Sequence, residues 1–131
     1  MPEPEQRTRP TPSELIEELQ RLPDLIYQRG AEVYGKRKEY DMLTLENDAI
    51  AAELMSLVEA EVNAVGKPLY SNLSKRQAEV DRRLKDDVVC NARRLSLETL
   101  RKEIDDMNLK IEFYNNRFKA CRAIALLLGV N

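Results

Sequence analysis

A chain of 131 residues fits one domain, and its composition, 34% charged and 43% hydrophobic with 5% aromatic, no Trp and only 4 Gly, is that of long helices and coiled coils. The net charge of -2 selects neither nucleic acid nor a membrane as partner, and the absence of any His removes the commonest general base and metal ligand. No signal-peptide pattern opens the chain, and its longest apolar run, Ala123 to Val130, is far shorter than a membrane span, so a cytoplasmic protein is expected.

Met1 to Pro10 is polar and Pro-rich and reads as a disordered arm. Thr11, Pro12, Ser13 and Glu14 form a T-x-x-E capping box with Pro at the first helical position. That box predicts a short helix over residues 11–22, which Pro23 ends or restarts. A first long helix is expected over 24–62. It is weakened early by Gly30 and Gly35, and its apolar row is Tyr40, Leu43, Asn47, Ile50, Leu54 and Leu57. Asn47 interrupts that row and could fix register.

Residues 63–72, with Gly66, Pro68 and Ser71-Asn72, predict a turn followed by a helix cap. A basic helix is expected over 73–86, with a break near Asp86 to Ser96 where the apolar phase is lost. The second long helix, 87–129, carries the longest seam: Leu97, Leu100, Ile104, Met107, Ile111, Tyr114, Phe118, Cys121, Ala125 and Leu128, in steps of three and four. Gly129 is a candidate C-cap. The expected fold is therefore all-α, a long antiparallel coiled-coil-like hairpin with a short N-terminal helix and a basic helical tip. Neither seam is fully covered by a lone hairpin, so homo-oligomerisation is expected.

Catalytic constellations are absent from the sequence. There is no Gly-rich phosphate loop, and neither Cys90 nor Cys121 has a His to activate it. Carboxylates such as Glu98 and Asp106 sit four residues before Lys102 and Lys110, the spacing of helix-surface salt bridges. The chain reads as a non-enzyme with no metal, no cofactor and no small-molecule substrate.

Charge is distributed unevenly. Residues 41–65 hold six acids and no base, whereas residues 66–94 hold eight bases and four acids. Lys75 and Arg76 open a helix, where the dipole favours acids, so an anion would relieve the mismatch. Lys67, Tyr70, Ser71, Asn72, Lys75, Arg76, Arg82 and Arg83 form the candidate phosphate-binding set, with Tyr70 able to stack on a base. Pairing of these bases with the acidic 41–61 stretch, within the hairpin or between subunits, is the competing reading.

The order of features, a long helix, the Lys67-Pro68-Leu69-Tyr70-Ser71-Asn72 turn, a basic helix opened by Lys75-Arg76, an Asp-Asp break and a long last helix, resembles the UvsY-type phage recombination mediators. The resemblance covers about residues 36–128. It implies an oligomeric protein that binds single-stranded DNA and helps a RecA-like recombinase displace single-strand-binding protein. The alternative expectation is a helical protein-interaction module, a chaperone, assembly factor or inhibitor, without nucleic-acid binding.

Overall fold

The computed structural model describes residues 10–129, so all of the expected N-terminal arm except Pro10 lies outside the described residues. Three helices follow one another: α1, Pro12–Ala60; α2, Leu73–Asp86; and α3, Val88–Leu127. No β-strand is present among the described residues, and α1 packs against α3 as a helical hairpin.

The ends of the helices are fixed by local chemistry. At the start of α1 the Glu14 N–H donates to Thr11 Oγ1 at 3.2 Å, and the Thr11 N–H donates back to Glu14 Oε2 at 3.4 Å, which closes the capping box. Asp87 caps both of its neighbours. Its N–H donates to the Leu84 carbonyl at 3.2 Å to end α2, and its Oδ1 accepts the Cys90 N–H at 2.9 Å to begin α3. That bond from the Cys90 N–H is the main reason the Asp87 carboxyl lies below the usual carboxylate range. At the far end Gly129 adopts a positive φ of 69° and donates its N–H to the Leu126 carbonyl at 3.2 Å.

The helix expected to stop at Pro23 does not stop. Pro23 lies inside α1, and the continuous helix replaces both the expected 11–22 helix and the break before 24. Proline removes one backbone bond, but Pro23 is exposed, while Leu15 and Leu22 are buried and Leu19 and Ile26 are half-buried. Apolar packing on both sides of Pro23 therefore holds the helix together across the missing bond.

The chain clusters into two compact units. The first combines α1 up to Gly35 with α3 from Asp105, and its buried residues are Leu15, Leu22 and Val33 from α1 and Cys121 and Ala125 from α3. Met107, Ile111, Tyr114 and Phe118 are half-buried in it, as their seam positions predict. Leu128 is not in that seam. Helix α3 ends at Leu127, so Leu128 falls in the turn out of the helix and is 46% exposed. Arg117 Nε donates to Glu18 Oε2 at 3.0 Å across this unit. Burial alone would raise the Glu18 carboxyl, but hydrogen bonds from Arg117 and then Arg21 outweigh it and hold the group below its ordinary value.

The second unit, Lys36–Ile104, contains all of α2. Val58, Val80, Cys90, Leu100 and Ile104 are buried in it, while Tyr40, Leu43, Asn47, Ile50, Leu54 and Leu97 are half-buried. Leu57 is a correction to the expected seam. It is 59% exposed and its neighbour Val58 is 1% exposed, because the inward row steps four residues on from Leu54 rather than three. Two ion pairs tie α1 to α3 here, Lys36 with Glu103 at 2.5 Å and Glu46 with Arg93 at 3.2 Å. The partner's number falls as the α1 number rises, which is the signature of antiparallel packing. The spacing-predicted pairs Glu98–Lys102 and Asp106–Lys110 are not among the ion pairs of the described residues.

Candidate nucleic-acid interface

The turn between α1 and α2 is built by Asn63. Its Oδ1 accepts the N–H groups of Val65 and Lys67, each at 3.0 Å, and its own N–H donates to the Lys67 carbonyl at 2.8 Å. Gly66 supplies the positive φ of 78° that this tight reversal needs. The Leu69 N–H then donates to the Glu61 carbonyl at 3.0 Å, and Val62 bridges Pro68. These bonds present Val62, Val65, Lys67 and Leu69 outward.

Asn72 caps α2 as its sequence position predicts. It is extended, with φ -142° and ψ 168°, and its Oδ1 accepts the Lys75 N–H at 2.9 Å. No acid occupies the first turn of α2. Among the described residues the Lys75 ammonium reaches only the Ser71 hydroxyl, at 3.5 Å. Lys67 and Lys75 are exposed, Arg76 is half-buried, and none of the three takes part in an ion pair among the described residues. The Nε of Arg76 is buried and has no hydrogen-bond partner among the described residues.

Arg82 and Arg83 are differently placed. Both Nη2 contacts of Arg83 go to the Glu61 carboxylate, at 2.7 and 2.8 Å, while its Nε donates to Glu79 at 2.9 Å. Arg82 bonds Glu79 at 2.6 and 3.1 Å and Asp86 at 3.2 Å. Hydrogen bonds from Arg82 and then Arg83 bring the Glu79 carboxyl down to about 2, and those from Glu61 and then Glu79 raise Arg83. Tyr70 is half-buried, and its side chain adds, after the two glutamates, to the raising of Arg83.

The eight candidate residues therefore separate. Ser71, Asn72, Lys75 and Arg76 lie at the amino end of α2 and Lys67 in the turn before it, whereas Arg82 and Arg83 belong to a carboxylate network with Glu61 and Glu79. The pairing of basic and acidic segments is real for Arg83 with Glu61 and for Arg93 with Glu46. Glu79 was not singled out in the sequence, although its spacing of three and four residues from Arg82 and Arg83 is a readable signal. Arg76 and Arg83 also flank the buried Val80 at helical spacing, which places them beside the inward face of α2.

Elsewhere in the second unit, Asn47, Asp48, Leu84, Lys85, Cys90 and Arg94 line an open groove of about 350 Å³, and Asn47 Oδ1 is buried there without a hydrogen-bond partner among the described residues. Burial and then the nearby Asp87 carboxylate push the Cys90 thiol up, away from the reactive thiolate. Among the described residues no group of three or more Cys, Asp or Glu could hold a metal ion, and no helix is long and apolar enough to cross a membrane. No family model, curated protein or solved structure matches the chain.

Proposed function

We propose that this chain is a non-enzymatic, homo-oligomeric accessory protein that binds single-stranded nucleic acid through the amino end of α2. The observation that carries this reading is that Lys67, Lys75 and Arg76, in the turn and at the capped start of a helix whose first turn holds no acid, have no carboxylate partner among the described residues. Phosphate is the anion that such a cluster of bases and backbone donors suits best. Contact is with the backbone and so independent of sequence, and oligomerisation supplies avidity by gathering several clusters. A role beside a recombinase and a single-strand-binding protein follows from the likeness in layout to the UvsY-type mediators.

A gel shift with a fluorescent single-stranded oligonucleotide tests this. Binding is expected at low salt and is expected to weaken steeply at moderate salt. A protein that leaves the oligonucleotide unshifted at low salt contradicts the reading.

The second reading, a helical protein-interaction module without nucleic-acid binding, is favoured by one set of residues. Tyr27, Leu109, Phe113, Leu126 and Leu127 are exposed large apolar side chains of the first unit. Under this reading Leu127→Asp abolishes capture of a protein partner, and no oligonucleotide is bound.

A further inference from the structure

Within the second unit, helix α1 outruns α3. The two ion pairs between them share one register, since Lys36 to Glu46 is ten residues forward and Glu103 to Arg93 is ten back. Five residues further, α3 is at its first residue, Val88, opposite Ala51. Residues 52–60 of α1 therefore extend past the start of α3, and α2 lies beside them, because Arg83 bonds the Glu61 carboxylate just beyond the end of α1. Val58, in this overhang, is 1% exposed, and so is Val80, one turn before Arg83 on α2.

The hold on α2 is thin. Val80 is its one buried side chain; Leu84 is half-buried, the other half-buried positions are the charged Arg76, Glu79 and Arg83, and the rest are exposed. Toward its carboxyl end α2 stands off from α1, with Asp81, Leu84 and Lys85 on one side of the open groove and Asn47, Asp48 and Ala51 on the other. Among the described residues, the side-chain hydrogen bonds from α2 to the end of α1 are the two from Arg83 to Glu61. Both connections are short: the exposed turn at Gly66 on one side, and on the other the single extended residue Asp87, with φ -81° and ψ 118°. A helix of 14 residues is marginal by itself in water, so α2 without its docking site frays.

We propose that α2 is a hinged arm, latched to the end of α1 by Arg83 on Glu61, which undocks as one piece while α1 and α3 stay packed. The turn at Gly66 and the junction at Asp87 are its hinges. Few buried apolar contacts and a partly exposed ion pair place a segment at the low end of local stability, and screening by salt weakens such a pair further. Undocking uncovers Val58 and Val80. It also takes Arg83 from Glu61 and leaves it about two turns from Arg76 on the same face of the freed helix, so the arm gains an available base. The inference goes beyond the proposed nucleic-acid contact and does not use Lys67, Lys75 or Arg76, so an oligonucleotide that fails to bind leaves it standing.

Native-state hydrogen exchange of the full chain, read by mass spectrometry at rising urea below the unfolding transition, tests it. The amides of residues 79–85 are expected to exchange with roughly tenfold or more lower protection than those of residues 100–104. Their exchange is also expected to depend less steeply on urea, because undocking exposes less surface than opening the whole unit. Sodium chloride and the substitution Glu61→Gln are each expected to speed exchange in 79–85 several-fold. Glu61 lies past the end of α1, so circular dichroism of the variant is expected to match wild type. Equal protection and equal urea dependence in the two segments would mean that α2 opens only with the rest of the unit, and would overturn the proposal. An α2 that opens separately, but no faster in salt or in the Glu61→Gln protein, would overturn the assignment of Arg83 and Glu61 as its latch.

Discussion

Helices α3 and α2 are held in place by different physics. Helix α3 runs for 40 residues on apolar burial, with Cys90, Leu100, Ile104, Cys121 and Ala125 turned inward at seam spacing. Helix α2 has 14 residues and one buried side chain, Val80, and it is tied to the end of α1 by the carboxylates of Glu61 and Glu79 around Arg83. A helix organised by burial can lose any one surface charge without consequence. A helix organised by charge has divided its bases, some committed to its own fold and some left over, and the leftover set is the candidate for function.

The contrast can be broken most forcefully at α3. Ile104→Ala is expected to destabilise the protein by about 2–4 kcal/mol, the cost of removing a buried aliphatic side chain, measured by urea denaturation. Lys102→Ala, two residues away on the exposed face, is expected to fall within about 0.5 kcal/mol of wild type. Equal effects at the two positions would mean that the seam is misassigned.

In α2 the sensitive position is charged. Asn72→Ala removes the acceptor for the Lys75 N–H and is expected to cost about 1 kcal/mol, while Asn72→Ser keeps most of the cap. Arg83→Ala is expected to lower the melting temperature visibly because it leaves Glu61 and Glu79 without their shared partner, whereas Lys85→Ala leaves it unchanged.

Acid sharpens the same point. The Glu79 carboxyl moves from its ordinary 4.5 to about 2 in the folded protein, so the unfolded chain binds the proton first as pH falls. Its contribution is complete above about pH 4.5 and is lost as pH drops toward 2. Glu79→Gln is expected to flatten the fall of the urea midpoint over that window relative to wild type.

Much of this fold is legible in the sequence because its signals are local. The T-x-x-E box at Thr11 and Asn72 before α2 each need only the next four residues to act. The α3 seam is legible because nine apolar positions, Leu97 to Ala125, keep phase within the helix. Pro23 misleads because the local rule for proline is overridden by packing of Leu15, Leu19, Leu22 and Ile26, which a local rule does not contain. Leu57 and Val58 are adjacent apolar residues, and only the packed partner decides which one turns inward. Within the candidate site, the cap and the basic residues at the start of α2 are readable. The capture of Arg83 by Glu61 is not, because it joins residues 22 apart across a turn whose geometry depends on Asn63 and Gly66.

The division of the bases on α2 is the centre of the account, and fluorescence anisotropy of a labelled single-stranded oligonucleotide tests it most directly. Lys67→Ala, Lys75→Ala and Arg76→Ala combined are expected to abolish salt-dependent binding while circular dichroism shows the helices retained. A triple variant that is folded and binds the oligonucleotide as tightly as wild type would contradict it.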